Sequence, residues 1–267
     1  MKYGFIGTGK MASAILRGMI SGKKFKPEEI NIFDIHEEVT KAMKDELSVN
    51  AYTDVFSLVK DSDVILLCVK PNVLGGVLSD IKDIVQGKLV ISIAAGKTIS
   101  FIEKEIGDKT PVIRVMPNIN ATIGEATSAY CVNKKADSSA KKTVEKIFRS
   151  VGTILQIEEK EMSMFSVLAG CSPAFTYLYI NSLADAARRF GMPKDKALKI
   201  AAHSVLGSAK MILESGIHPG ELIDNVCSPG GTTLEGVNEL YKEGFPYVVG
   251  EAFYESYKKD LSFGKED

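Results

Sequence analysis

Lys2-Tyr3-Gly4-Phe5-Ile6-Gly7-Thr8-Gly9-Lys10-Met11-Ala12 is the stretch that decides the fold of this chain. A short apolar run over residues 2–6 breaks into a glycine turn, and over residues 11–20 apolar side chains recur at helical spacing. Strand, glycine turn and helix in that order form the context in which a Gly-x-Gly-x-x-Gly/Ala fingerprint holds a dinucleotide. Gly7 permits the tight turn, Gly9 lets the backbone approach a pyrophosphate, and Ala12 allows the helix to pack closely on the strand. The pyrophosphate would sit on the helix N-terminus, where unpaired N–H groups favour an anion. Ile6, Gly7, Thr8, Gly9, Lys10 and Met11 are therefore candidate cofactor-binding residues. A second strand over residues 30–33 ends at Asp34, roughly 20 residues beyond the turn, where a carboxylate accepts both ribose hydroxyls of NAD and repels the 2′-phosphate of NADP. No Arg or Lys occurs among Ile35, His36, Glu37 and Glu38 to offset that repulsion, although a protonated His36 offsets part of it. NADH or NADPH is the expected cofactor, with NADH favoured.

Outward from this turn, strand and helix patterns alternate. A helix is predicted over residues 37–46, a short strand over 48–51 and a helix over 55–60. Val64-Ile65-Leu66-Leu67-Cys68-Val69 is unbroken and apolar, as a strand buried on both faces must be, and it stops at Lys70-Pro71. Further strands are predicted over residues 89–93, 112–115, 126–132 and 153–156, with a helix over 138–150. Such alternation implies a mostly parallel sheet covered by helices on both faces. Right-handed crossovers would then bring every loop that follows a strand to one edge, where ligands bind.

Beyond about residue 160 the period changes. Apolar residues recur at helical spacing, as in Met164-Val167-Leu168, Leu178-Leu183-Ala187 and Ala197-Ile200-Ala201. Gly191-Met192-Pro193 and Gly216-Ile217-His218-Pro219 punctuate the pattern as helix stops and starts. The fold class expected is α/β, with a Rossmann-type, mostly parallel sheet in residues 1–160 and an all-helical substrate-binding and dimerisation domain in residues 161–267. Pro173 falls inside the first long helix and should kink it. Apolar residues such as Leu178, Ile180 and Ile212 occur on more than one helical face, more than a small isolated bundle can bury, which predicts a homodimer through this half.

Composition excludes several function classes. Net charge is −1, with 33 Lys+Arg against 34 Asp+Glu, so neither nucleic acid nor a membrane surface is expected as a partner. Cys68, Cys131, Cys171 and Cys227 are widely separated and form no CxxC pair, which fits reduced thiols in the cytoplasm and gives no metal site. The chain opens on its first strand with no leader pattern, and no apolar run is expected to reach membrane-spanning length.

One turn in the helical half carries chemistry. In Val226-Cys227-Ser228-Pro229-Gly230-Gly231-Thr232-Thr233 the Ser-Pro-Gly-Gly segment bends the backbone, and an amphipathic run follows from the threonines. Several backbone N–H groups would then face outward at a helix N-terminus, a site suited to a small carboxylate.

Pro219, Ser228, Gly230-Gly231, Thr233, Gly236-Val237 and Leu240 together resemble the C-terminal signature of the Δ1-pyrroline-5-carboxylate reductase family. Val69-Lys70-Pro71, Ala94-Ala95-Gly96 and Met116-Pro117-Asn118 are similar to three further segments of that family, in order and spacing. The resemblance covers nearly the whole chain. It implies that Cys68, Val69, Lys70, Pro71, Ala94 and Ala95 line the dinucleotide site, with Asn118 where nicotinamide meets substrate. It also implies interleaved helices from two subunits, assembled into larger oligomers built from dimers. The chain departs from the family's Gly-Ser-Gly-Pro-Ala-Tyr at Cys171, Ser172 and Phe175, and it has Asn120 where the family usually has a second proline.

The activity implied is reduction of Δ1-pyrroline-5-carboxylate to L-proline by hydride from NAD(P)H, the last step of proline biosynthesis, on a small imine substrate that carries a carboxylate. Hydride addition to a ketone needs an acid for the developing alkoxide, whereas a cyclic imine can arrive already protonated. The three histidines, His36, His203 and His218, occupy positions that read as surface, helix and cap residues. Thr233 is then the catalytic candidate, its hydroxyl bonding the ring nitrogen. Ser228, Gly230, Gly231, Thr232, Thr233 and Asn118 are the substrate-binding candidates, with the N–H groups of Gly231, Thr232 and Thr233 receiving the carboxylate. A β-hydroxyacid dehydrogenase shares the two-domain plan, but no lysine lies between Gly170 and Lys194, where that family places its catalytic one. A non-catalytic dinucleotide sensor would have no use for the Ser-Pro-Gly-Gly-Thr-Thr turn.

Overall fold

The computed structural model describes residues 1–263. The described residues divide into two compact units, one made of Met1–Gly170 together with residues 257–263, the other of Cys171–Ser256.

In the first unit an eight-stranded sheet has the order β3-β2-β1-β4-β5-β6-β7-β8. Its strands are β1 (Tyr3–Ile6), β2 (Ile30–Phe33), β3 (Asn50–Ala51), β4 (Val64–Leu67), β5 (Leu89–Ser92), β6 (Val112–Met116), β7 (Ala126–Val132) and β8 (Gly152–Gln156). The helices are α1 (Lys10–Ser21), α2 (Glu37–Leu47), α3 (Val55–Lys60), α4 (Pro71–Ile81), α5 (Ile99–Ile106), α6 (Ser138–Phe148) and the single turn α7 (Met162–Phe165). Successive strand residues point to opposite faces, so each central strand feeds two cores. Phe5, Leu66 and Ile91 pack with Ile15, Leu16 and Met19 of α1 and Val144, Ile147 and Phe148 of α6. Ile6, Ile65, Leu67 and Val90 pack on the other face with Leu74 and Leu78 of α4 and Ile102 of α5. β1 and β4 are buried at every position, which explains why they read as continuous apolar runs rather than as alternating ones.

The structure corrects the sequence reading in four places. Strands β1 to β6 are parallel, but β7 pairs antiparallel with β6 and β8 runs parallel to β7, so the loops after β7 and β8 lie at the other edge. The physical reason is the connection: β6 returns to β7 through a short 3-10 turn, Ile119–Ile123, with no helical crossover to restore the direction. α4 and α5 were not expected, because Gly75 and Gly76 dilute the helical pattern of the first and the second is only 8 residues long. Their start signals are nonetheless present, a proline at the first position of α4 and the Thr98 hydroxyl accepting from the Phe101 N–H at α5. Pro173 lies inside the helical run Glu159–Arg189, as expected, but the helix around it is not a plain α-helix. The proline opens α8 (Ser172–Arg189), and the backbone in front of it adopts a π-helical stretch over Ser166–Cys171. Finally, the helical run Glu159–Arg189 is 31 residues long with mean hydropathy 1.2 in its most apolar window, so one run does reach membrane-spanning length. It does so because the π segment lets the helix continue through the proline.

The second unit consists of α8, α9 (Lys194–Ser215), α10 (Pro219–Val226), α11 (Thr232–Lys242) and much of α12 (Phe245–Phe263). α8 and α9 pack on each other, and the few residues buried along them include the small Ala184, Ala197 and Ala201. Their outer faces leave large apolar side chains in the open: Leu178 is 68% exposed, Leu206 63% and Leu213 84%. That is the pattern of helices whose second apolar face awaits another surface.

Leu66 sits fully buried in β4, between β1 and β5. Leu66→Ala should lower the unfolding free energy by about 2–5 kcal/mol through lost burial and the cavity left behind. Urea denaturation followed by circular dichroism measures this.

Candidate active site

Three strand ends converge at the glycine turn. The Gly7 N–H donates to the Phe33 carbonyl at 2.8 Å, and the Cys68 N–H donates to the Ile6 carbonyl at 2.8 Å. Gly7 has φ +93°, and a Cβ there would lie 2.8 Å from the Cys68 carbonyl oxygen. Only glycine fits both the conformation and the space. Gly9 is different: it is exposed, it precedes α1 with no side-chain cap, and a Cβ built on it meets no atom within 4 Å. The N-terminal N–H groups of α1 thus border open space, the geometry that an approaching pyrophosphate requires, so the residues fit a bound dinucleotide.

Asp34 leads from β2 to the edge of the same turn. Its Oδ2 accepts from the Thr8 backbone N–H at 2.7 Å and from the Thr8 hydroxyl at 3.1 Å, while Oδ1 accepts from the His36 N–H at 3.1 Å. With three donors already in place, one oxygen retains a free acceptor direction, so the expectation that this carboxylate takes both ribose hydroxyls needs correcting. The engagement of the Thr8 side chain went unseen in the sequence; the only signal was a hydroxyl residue between the two glycines.

The parallel order β1-β4-β5 brings the loops after these strands side by side at one edge, with Cys68, Val69, Lys70 and Pro71 in one and Ala94 and Ala95 in the next. Cys68 and Val69 touch the glycine turn, and burial pushes the Cys68 thiol well up, so it is an uncharged wall group. Ala94 is buried and its N–H is held by the Ser92 hydroxyl, whereas Ala95 is exposed. Glu159 anchors the next helix: its Oε1 accepts from the Ile99 N–H at 2.7 Å and lies 3.4 Å from the Arg114 guanidinium. Cys131 lies in the electrostatic reach of this pair, and its thiol is pushed up to about 12, chiefly by burial.

Asn118, after β6, is only 6% exposed. Its Nδ2 donates to the Ala169 carbonyl at 2.9 Å and its Oδ1 accepts from the Thr127 N–H at 3.2 Å, so both ends of the amide already hold the fold together.

Within the second unit, the Ser228-Pro229-Gly230-Gly231 turn is closed by the Gly231 N–H donating to the Ser228 carbonyl at 2.9 Å, with Gly230 at φ +68°. A proline followed by a left-handed glycine is the type II arrangement. The Gly231 N–H expected to meet a carboxylate is therefore engaged in the turn. The N–H groups of Thr232 and Thr233 remain, in the first turn of α11, where no side chain caps the helix. The Ser228 hydroxyl lies against Gly231, where any Cβ would displace it. Thr233 and His203 line one cleft of about 900 Å³ with Tyr179, Met211 and Leu222.

Residues 159–262 match the family model described as pyrroline-5-carboxylate reductase dimerisation, and residues 2–96 match the one described as NADP oxidoreductase, coenzyme F420-dependent. The pyrroline-5-carboxylate reductase of Methanosarcina acetivorans is 42% identical over 266 residues, covering 99% of this chain and 98% of the relative. That of Escherichia coli is 37% identical over 265 residues, at 99% and 98% coverage. The chain belongs to the pyrroline-5-carboxylate reductase family. Among solved structures, the Plasmodium falciparum pyrroline carboxylate reductase with NADP bound matches with a TM-score of 0.89 at 34% identity, over 99% of this chain and 98% of that one. Family membership leaves no place for the β-hydroxyacid dehydrogenase reading, and it gives the exposed apolar faces of α8 and α9 a context, since they fall within the matched dimerisation region.

The two glycines of the turn should respond differently to substitution. Gly7→Ala forces a side chain into a left-handed conformation against the Cys68 carbonyl and should cost about 1–3 kcal/mol of stability. Gly9→Ala meets no protein atom and should cost under about 1 kcal/mol, while weakening dinucleotide binding. Thermal unfolding of both variants, beside fluorescence titration with NADH, separates the two effects.

Proposed function

We propose that this chain reduces Δ1-pyrroline-5-carboxylate to L-proline with NAD(P)H, the last step of proline biosynthesis. The observation that carries the reading is full-length similarity at 42% identity to a pyrroline-5-carboxylate reductase, in a chain that pairs a dinucleotide-type glycine turn with the uncapped Ser228–Thr233 turn. When bound, the dinucleotide supplies the hydride. The chain's own residues bind and orient. Ile6, Gly7, Gly9, Lys10, Met11 and Asp34, with Cys68 to Pro71 and Ala94-Ala95, form the cofactor cradle, and Thr8, expected among them, backs it from a fully buried position. Thr232 and Thr233 offer their N–H groups to the substrate carboxylate, beside Ser228 and Gly230, and the Thr233 hydroxyl accepts from the protonated ring nitrogen. Hydride addition to the iminium carbon neutralises that nitrogen, so no strong general acid is needed. Asn118 acts at one remove, by holding the loop after β6.

Asp34 favours NADH, because a 2′-phosphate beside a fixed carboxylate meets repulsion. The helical region from residue 161 forms a homodimer, the second copy covering the apolar faces of α8 and α9, and the enzyme works in the cytoplasm.

Oxidation of NADH and of NADPH is to be measured with pyrroline-5-carboxylate and with a panel of 3-hydroxy and 2-oxo acids. Turnover of the imine, with higher kcat/KM for NADH, is the expected result; reaction with an oxo acid and not with the imine would overturn the assignment. Thr233→Val keeps size and branching but deletes the hydroxyl, and a hydrogen bond to a charged group worth about 1.5–3 kcal/mol corresponds to roughly a ten- to hundredfold fall in kcat/KM. Thr232→Val should change it little, since only the backbone N–H of that residue has a role. Equal losses in both variants would mean a packing defect in the turn.

A further inference from the structure

We propose that Thr8 sets the cofactor preference of this enzyme without touching the nucleotide, by fixing the orientation of the Asp34 carboxylate. The proposal rests on the reading of Asp34 as the group that faces the adenosine ribose.

Thr8 has no exposed surface, so its side chain is no ligand for anything that binds in the open space beside Gly9. Both of its donors nevertheless converge on a single atom, Asp34 Oδ2, from the backbone N–H at 2.7 Å and from the hydroxyl at 3.1 Å. Two donors from one residue onto one oxygen form a chelate, which constrains the plane of the carboxylate as well as its position; without the hydroxyl, Oδ2 would keep only the Thr8 N–H and the tilt of the plane would rest on the longer His36 bond to Oδ1 alone. Thr8 is itself held from behind, since the buried Ser13 hydroxyl donates to the Thr8 carbonyl at 2.9 Å. The His36 N–H occupies one side of Oδ1 at 3.1 Å. What remains is one acceptor direction on Oδ1, and its aim is set by the Thr8 chelate together with the His36 N–H. A carboxylate with a single free lone pair discriminates between a hydroxyl and a phosphate only if that lone pair is kept pointed at the ribose. Loosened, it can swing aside and admit the phosphate, and it loses its bond to the hydroxyl at the same time.

The test uses the full-length protein as Thr8→Val, Thr8→Ser, Asp34→Asn and the double variant Thr8→Val/Asp34→Asn. NADH and NADPH affinities are measured by nucleotide fluorescence, beside kcat/KM with each. Thr8→Val is expected to weaken NADH binding about three- to tenfold and to leave NADPH binding unchanged or tighter, so that the preference ratio falls. Thr8→Ser restores the ratio. In the Asp34→Asn background Thr8→Val has no further effect on it. A general loss of stability would weaken both nucleotides equally, and an unchanged ratio in Thr8→Val, or one that falls further in the Asp34→Asn background, overturns the proposal. Thr8→Ala, which deletes the same hydroxyl with a smaller side chain, gives the same readout if valine is not accommodated in the closed space. If Asp34→Asn leaves the ratio where it was, the ribose reading of Asp34 falls and this proposal with it; if Asp34→Asn shifts the ratio and Thr8→Val does not, only the role of Thr8 falls.

Discussion

Everything at the ligand edge depends on the contact between the Gly7 backbone and the Cys68 carbonyl. The bonds Gly7 N–H to Phe33 and Cys68 N–H to Ile6 draw the ends of β2, β1 and β4 together until no side chain fits at position 7. Because these strands are parallel and in register, that one approach fixes where Asp34 leaves β2, where α1 begins and where the loop after β4 runs. Tight packing of strand ends is thus what turns three ordinary loops into one surface.

The two units share one local feature at a helix start. α1 and α11 both start after a glycine with no capping side chain, at Gly9 and at Gly231. A serine or aspartate in either place would satisfy the helix from within and make it more stable in isolation. Leaving the first-turn N–H groups unsatisfied lowers the intrinsic stability of each helix slightly and keeps its positive end available. Packing compensates, fully in α1 with its buried Ile15, Leu16 and Met19, and less in α11, where no residue is buried within this chain.

Much of this was legible in the sequence. The glycine turn, the acid at the end of β2 and the apolar run at β4 each have a local pattern dictated by backbone geometry or by burial on both faces. The strands of the sheet and the stop signals at Gly191 and Gly216 fell close to where the pattern put them. What escaped has physical causes as well. The reversal of β7 depends on how the chain turns after Asn118, which no periodicity records. α4 and α5 are short and, in one case, glycine-rich, so their weak intrinsic signals are overridden by packing on Leu67 and Val90. Hydrogen-bond partners are the least readable of all: nothing in the order of residues says that Asn118 reaches Ala169, that Gly231 closes on Ser228, or that Thr8 grips Asp34 with two donors.

The chain's return to the first unit at Tyr257 has a consequence for folding order. The segment Cys171–Ser256 leaves the first unit and comes back to it, and near its two ends the Ser166 hydroxyl donates to the Asp260 carboxylate at 2.9 Å. Topologically the helical unit is an insertion, a long loop whose ends are pinned, rather than a domain hung from a linker. Pinning both ends of a loop removes conformational freedom that a trailing tail would keep, by an amount that grows only with the logarithm of its length. It also means that a ribosome releases the last strand of the first unit well before the piece of α12 that completes it, so the sheet can form during synthesis while closure of the loop waits for α12.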